Sequence, residues 1–373
     1  MAKGAPGTDS IDLQIKELED RISNTAYNKK TQHAIGMYKA KLAALKRKKE
    51  ERVSSGTGRS EHGWTVKKSG DATVVLLGFP SVGKSSLLNA LTNAESEVGA
   101  YSFTTLSCIP GDLEYKGAKI QILDVPGVVQ GAAAGTGRGK EVLQVLRTAD
   151  LVLILVDVFF PDHLPVLERE IYNTYVRLNQ KRPDVRIKKT TKGGVRMGST
   201  IQLSHLNENL VRDILKQFRM MNAEVLIRDD ITVDQFIDVV EGNRVYVPAI
   251  KALNKIDMTT PEEVERVSGI VEPDIKISAA TGKNLDELKE LIFQKCELMP
   301  VYCKEVGEKA DLEEPLIMRK GDTIHRMCEK LHKDFVKKFK FARVWGKSAK
   351  FPGQKLSLKH RLAKDDVVEL HIR

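Results

Sequence analysis

The chain has 373 residues, 41% of them hydrophobic, which is enough for two or three domains with apolar cores. Its four cysteines (Cys108, Cys296, Cys303, Cys328) are too few and too scattered for a disulfide framework or a zinc site. The formal charge of +10 is concentrated at Lys39–Arg52, Lys181–Arg196 and Arg319–Arg361, a distribution that suits a polyanionic partner such as RNA. No aromatic-rich RNA-recognition signature accompanies these clusters, so sequence-specific base reading is not supported. The longest apolar run, Leu151 to Phe160, is broken by Asp157 and falls short of the roughly 20 residues that span a bilayer. With no hydrophobic signal region at the N-terminus, a cytoplasmic protein with reduced thiols and no membrane partner is expected.

Residues 9–52 read as two helices. Ile11, Ile15, Leu18 and Ile22 share one helical face, and Ala34, Tyr38, Leu42 and Leu45 repeat the spacing after a polar break at Ser23–Gln32. A helical hairpin over 1–52 is expected, followed by a linker at 53–70 that carries Ser54-Ser55-Gly56-Thr57-Gly58.

From Thr73 the pattern alternates strand and helix, as in an α/β fold with a mostly parallel sheet. The expected strands are Thr73–Leu77, Lys119–Leu123, Leu151–Val156, Val247–Leu253 and Asp274–Ile277. This domain is expected over 71–300, with an inserted α/β subdomain at about 162–245. The insertion reads as a helix (Leu167–Leu178), a basic Gly-containing loop (Arg186–Gly198), a helix (Glu208–Met220), a strand (Val225–Arg228) and a helix capped near Thr232. After a linker at Tyr302–Glu314 comes a small β-grasp-like module within 301–373: strand Leu316–Met318, helix Thr323–Phe339, strand Phe341–Trp345, a hairpin at Pro352-Gly353 and strand Val367–Ile372. The basic helix of this module (Arg326, Lys330, Lys333, Lys337, Lys338) is the expected RNA-facing surface.

Each candidate motif follows the carboxyl end of a strand, where open α/β sheets bind ligands. Gly78-Phe-Pro80-Ser81-Val82-Gly83-Lys84-Ser85 fits the phosphate-binding loop, with Ser86 opening the next helix. Its backbone N–H groups would cradle the β-phosphate, Lys84 would bridge the β- and γ-phosphates, and the Ser85 hydroxyl would ligate Mg²⁺. Asp124-Val-Pro-Gly127 would hold Mg²⁺ through water at Asp124 and sense the γ-phosphate at the Gly127 N–H. In the loop before that strand, Tyr101-Ser-Phe103-Thr104-Thr105-Leu106 offers a threonine to the metal; Thr105 is favoured over Thr104, and Phe103 is a further expected nucleotide contact. Asn254-Lys255-Ile256-Asp257 names the base, because the Asp257 carboxylate can accept from guanine N1–H and its exocyclic amine, which adenine cannot match. Lys255 would lay its stem along the base and Asn254 would tie loops together. The backbone of Ser278-Ala279-Ala280 would contact guanine O6. Lys84, Thr105 and Gly127 form the expected catalytic set.

With GFPSVGKSS, YSFTTL, DVPG, NKID and SAATGKN in this order, the chain resembles the Obg superfamily of GTPases. The closer resemblance is to the developmentally regulated GTP-binding proteins, carried by Gly135-Thr-Gly-Arg-Gly139, Val239-Val-Glu-Gly-Asn-Arg-Val-Tyr-Val-Pro248 and Ala342-Arg-Val-Trp-Gly346. The resemblance implies an N-terminal helical region, a GTPase domain with an insertion and a C-terminal TGS domain of β-grasp fold. It also implies association with ribosomes or RNA, and a stabilising partner protein. A monomer is expected. Val128 stands where Ras-like GTPases carry the glutamine that orients water, so slow hydrolysis aided by a group from elsewhere is implied. Arg138 in the Gly127–Gly139 stretch is one candidate for that group. Some relatives use K⁺ with an asparagine where this chain has Ser81, so K⁺ activation stays open; Gln130 stands where the resemblance implies an acidic residue in switch II, a change in that loop's electrostatics.

The reading is a Mg²⁺-dependent switch that hydrolyses GTP slowly and re-aims its inserted and C-terminal modules on ribosomes or RNA. The alternative is a GTP-sensing scaffold in which hydrolysis is incidental.

Overall fold

A computed structural model of the chain describes residues 8–26, 28, 31–56, 70–92, 109–125 and 145–372. It opens with helices α1 (Thr8–Asn24) and α2 (Gln32–Gly56). The sheet region follows with β1 (Ala72–Leu77), α3 (Lys84–Leu91), β2 (Ile109–Tyr115), β3 (Ala118–Asp124), β4 (Leu151–Asp157), α4 (His163–Asn173) and β5 (Val176–Leu178). Next come β6 (Val185–Lys189), β7 (Val195–Ser199), α5 (Glu208–Gln217), β8 (Ala223–Ile227) and α6 (Val233–Glu241). The chain then returns through β9 (Val245–Val247), β10 (Ala249–Asn254), α7 (Pro261–Val271), β11 (Ile275–Lys276) and α8 (Leu285–Lys295). It closes with β12 (Leu298–Lys304), β13 (Leu316–Arg319), α9 (Ile324–Leu331), α10 (Lys333–Lys338), β14 (Phe339–Trp345), β15 (Gln354–Leu356) and β16 (Val367–Ile372). No helix among the described residues is long and apolar enough to cross a membrane.

Two compact units divide these elements. One joins the N-terminal helices to Lys181–Val245, and the other joins the motif-bearing sheet to the C-terminal residues. In the first, Ala40 of α2 is buried among Leu210, Val211, Ile214, Phe236 and Ile237, with Met37 and Ala43 beside it. The helical pair is therefore one layer of the insertion's core, where the sequence reading had set 1–52 apart. Helix α5 is capped by Asn207, whose Oδ1 accepts the Leu210 N–H, and α6 by a reciprocal Thr232–Gln235 box. The expected basic loop Arg186–Gly198 is two strands flanking β8, antiparallel through β6 and parallel through β7. Val185, Ile187, Val195 and Met197 face the core while Arg186, Lys188 and Arg196 alternate outward. Charge on the solvent-side positions hid the period-2 pattern.

Many of the basic residues on α2 already have acidic partners in this unit. Lys39 meets Asp234 at 2.6 Å, Lys46 meets Glu19 at 2.8 Å and Lys49 meets Asp12 at 2.6 Å.

The second unit is built on a six-stranded sheet of order β11-β10-β4-β1-β3-β2, parallel except for β2. Every residue of β1 and β4 is buried, which explains their continuous apolar sequences. Leu87, Leu88 and Leu91 of α3 and Leu285, Leu288 and Ile292 of α8 cover the face formed by Val74, Leu76, Ile122, Leu153 and Leu155. The expected helix Leu167–Leu178 instead runs from His163 to Asn173. Tyr175 at φ 68 then turns the chain into β5.

The C-terminal sheet has order β13-β12-β16-β14-β15 and packs one face on α9 through Ile324, Met327 and Cys328. Its first strand begins at Leu298, so the start of the expected linker is strand. The expected single helix breaks at His332, whose backbone is extended at φ −163. This module is fastened to the foot of the larger sheet. The Arg319 guanidinium donates to Asp150 Oδ1 at 2.9 Å and to the Asp71 carbonyl at 3.0 Å, while the Thr73 N–H donates to Asp150 Oδ2. Lys330 is drawn to the Asp71 carboxylate and the Ile317 carbonyl, so this residue of the expected RNA-facing helix is turned onto the sheet; Lys333, Lys337 and Lys338 remain exposed.

Candidate nucleotide-binding site

The phosphate-loop residues leave β1 at Leu77 and turn into α3 at Lys84. Two backbone positions make the turn: Ser81 at φ 62 and Gly83 at φ 95, both in the left-handed region. Gly83 is demanded twice. A side chain would be strained at that φ, and a Cβ there would lie 2.6 Å from Asn254 Nδ2. Pro80, Ser81, Ser85 and Ser86 are exposed along the loop and the helix start, while Val82 is buried beneath.

Lys84 folds back over the loop, donating to the Gly78 carbonyl at 3.1 Å and the Phe79 carbonyl at 3.0 Å. Burial holds its ammonium below the ordinary value, with Asp124 acting against the shift. Asp124 ends β3, is 4% exposed, and takes a long hydrogen bond from the Ser85 hydroxyl, 3.5 Å at Oδ2. Its other oxygen, Oδ1, is buried without a partner. Burial pushes this carboxyl above its ordinary value, opposed by Lys84 and Ser85. A half-satisfied carboxylate beside a hydroxyl is an oxygen donor set that fits a hard divalent cation.

Asn254, at the end of β10 and 1% exposed, joins three loops. Its Nδ2 donates to the Val82 carbonyl at 2.8 Å, and its Oδ1 accepts the Ala279 N–H at 3.0 Å. Lys255 sits at φ 65, and its ammonium lies 2.7 Å from the Asp157 carboxylate at the end of β4. The Asp257 carboxylate is exposed. Ser278 is fully buried; its hydroxyl accepts the Thr281 N–H at 3.1 Å and shapes the turn that carries Ala279 and the exposed Ala280.

The structure thus brings Gly78–Ser86, Asp124, Asn254–Asp257 and Ser278–Ala280 to the carboxyl ends of β1, β3, β10 and β11 in one sheet. Phe103, Thr104, Thr105, Gly127, Val128, Gln130 and Arg138 lie outside the described residues. Two features were missed in the sequence. Asp157 was read only as the interruption of an apolar run, although an aspartate closing a buried strand was its signal. Phe79 is stacked on His163 of α4, with ring centroids 4.0 Å apart, a contact that no local pattern announces.

Residues 73–189 match the family described as 50S ribosome-binding GTPase, residues 192–298 the C-terminal region of that domain, and residues 301–372 the TGS domain. An uncharacterized GTP-binding protein of Methanocaldococcus jannaschii is 52% identical, covering 97% of this chain and 93% of its own. Developmentally-regulated GTP-binding protein 2 of Bos taurus is 42% identical, over 96% of this chain and 98% of its own. Developmentally-regulated G-protein 3 of Arabidopsis thaliana is 43% identical, over 97% and 98%. With a P-loop GTPase sheet, its nucleotide motifs at the strand ends and a C-terminal TGS domain, the chain belongs to the developmentally regulated family of GTP-binding proteins.

Proposed function

We propose that the protein is a Mg²⁺-dependent GTPase that turns GTP over slowly and acts as a switch on ribosomes or RNA in the cytosol. The observation that carries the nucleotide half of this reading is Asn254, whose side chain bonds the phosphate loop at Val82 and the Ala279 turn at once. Guanine selection and phosphate binding are then properties of one rigid assembly.

In this reading Lys84 leaves the Gly78 and Phe79 carbonyls for the β- and γ-phosphates, and the loop N–H groups from Ser81 to Ser86, which follow Pro80, donate to phosphate oxygens. Ser85 and Asp124 would hold Mg²⁺, with Thr105 completing the set. The orphaned Asp124 Oδ1 supports this assignment. Bound there, Mg²⁺ would neutralise charge on the β- and γ-phosphate oxygens. Asp257 accepts from the guanine edge, Lys255 flanks the ring, and the Ser278–Ala280 backbone meets O6. Val128 has no polar atom with which to orient water, so the chain's own residues leave hydrolysis slow. An activating partner or K⁺ would supply the missing group. A stabilising partner protein also belongs to this reading, on the family resemblance.

The ribosome or RNA half is supported by the basic surface and by the family description that matches residues 73–189. Co-sedimentation with ribosomes in GDP, GTP and a non-hydrolysable analogue tests it, alongside GTP turnover with and without Mg²⁺. Binding that differs between GDP and the analogue is expected. Identical binding in all three would replace the switch by a scaffold, and turnover indifferent to Mg²⁺ removal would overturn the metal assignment.

A further inference from the structure

Aromatic and basic residues that lie apart in the C-terminal sequence meet on one face of its sheet. Ala342, Val344 and Val368 point into the core under α9. The alternate positions carry Phe341 and Arg343 on β14, Lys355 on β15, Glu369 and His371 on β16 and Lys304 on β12, and they turn to the other face. Phe341 is stacked on His371, with centroids 4.2 Å apart and planes 21° from parallel. The Lys355 ammonium stands 4.7 Å from the Phe341 centroid. Glu369 is the one carboxylate among these six residues, and it is already held by Lys304 and, at 2.7 Å, by His371. Arg343 and Lys355 are exposed, and the hairpin beside them presents Lys347, Lys350 and a Phe351 that is 59% exposed.

We propose that this sheet face binds unpaired RNA, with a base stacking on Phe341 in place of the Lys355 ammonium and the phosphates met by Arg343 and Lys355. This rests on the RNA-association reading above and assigns it a surface. An exposed cation over a phenyl ring is a weaker contact than a stacked base, so the exchange is downhill, and the displaced ammonium is left where a phosphate follows its base. Trp345 does not offer the same exchange. The Lys304 ammonium that stands 5.0 Å from its ring is tied to the buried Glu369. Bases inside a duplex have no free face, so the surface selects single strands.

The test is fluorescence anisotropy of the full chain with a labelled, unstructured RNA of about 12 nucleotides, and with the same RNA as a duplex. Phe341→Leu, which keeps the apolar volume, is expected to weaken single-strand binding about tenfold without changing its salt dependence. Arg343→Ala and Lys355→Ala are expected to weaken it and to lower the salt slope by about one each. Thermal melting and GTP binding should be unchanged in all three. Should Phe341→Leu not fold, crosslinking of 4-thiouridine RNA to the wild type reads the same surface, with β14 and β15 expected among the linked peptides and their absence counting against it. Equal single-strand binding by wild type and a folded Phe341→Leu overturns the platform and leaves RNA association standing. Wild type that binds neither RNA overturns both. Duplex binding as tight as single-strand binding means phosphate contact alone and rejects base stacking. Direct binding of labelled poly-glutamate with the same Phe341 dependence, in the absence of RNA affinity, would overturn the proposal and make this a surface for an acidic protein segment instead.

Discussion

Lys255 and Asp157 face each other across the β10–β4 pairing, ammonium to carboxylate at 2.7 Å. The Asp157 side chain is 4% exposed and that of Lys255 27%. If, as proposed, the Lys255 side chain lies along the base, its anchoring at the tip would lower the entropy it loses on binding. Asp157→Asn is expected to weaken guanine nucleotide affinity by about tenfold, in line with the ~1.5–3 kcal/mol of a hydrogen bond to a charged group. Titration with a fluorescent GTP analogue checks it, and unchanged affinity in a folded variant would contradict the anchoring role.

Asp257→Asn is expected to remove most of the preference for GTP over other purine triphosphates, because an amide cannot accept both guanine donors. Competition binding with GTP, ITP and ATP reads it. Guanine selectivity that survives would sink the base assignment.

The Gly83–Asn254 approach makes a paired prediction. Asn254→Ala leaves the Val82 carbonyl and the Ala279 N–H without their partner, at about 1–3 kcal/mol each, and should lower both stability and nucleotide affinity. Gly83→Ala should abolish nucleotide binding through its Cβ clash and its φ of 95. The double variant should cost less than the sum of the two, since removing Asn254 clears the clash but not the strain. Strict additivity would mean that the clash does not matter.

Asp124 gives a pH signature. Its carboxyl pKa is raised in the folded chain above the ordinary 3.8, so the native state binds more protons than the unfolded state across the window between the two values. Stability of the nucleotide-free protein therefore falls as pH rises through that window. Asp124→Asn should flatten this dependence, raise the melting temperature of the free protein by a few degrees, and lose the Mg²⁺-dependent gain in nucleotide affinity. Thermal melts from acid to neutral pH, with and without Mg²⁺ and GDP, measure all three; a variant as pH-sensitive as the wild type would refute the assignment.

Asp150 should be the weak point of the joint to the C-terminal module. It is 9% exposed and accepts both from Arg319 and from the Thr73 N–H at the start of the sheet. Asp150→Ala is expected to destabilise the protein by about 2–4 kcal/mol, since it strands a guanidinium and a backbone donor together. Arg319→Ala should cost less, because its side chain is 42% exposed. Denaturant melts of the two variants give the order.

Of the strands that carry the motifs, β1, β3 and β10 were legible because each is a mostly buried apolar run, and such runs read the same with or without neighbours. Strands β6 and β7 were not, since lysines and arginines fill their outward positions and mimic a loop. The opening strand of the C-terminal sheet hid behind Pro300 and Lys304, and the break at His332 behind an unbroken helical periodicity. At the site, Gly83, Lys84, Asp124 and Asn254 announce themselves by spacing. Asp157, the Phe79–His163 stack and the Phe341–His371 pair depend on non-local packing, which no local window contains.

Strand β4 begins next to the carboxylate that receives Arg319 and ends in the carboxylate that receives Lys255. Seven extended residues measure roughly 20 Å. The joint to the C-terminal module and the anchor of Lys255 are accordingly held one strand length apart. The strand works as a ruler within this unit, whose marks are the carboxylate that receives Lys255 at one end and the carboxylate that receives Arg319 at the other.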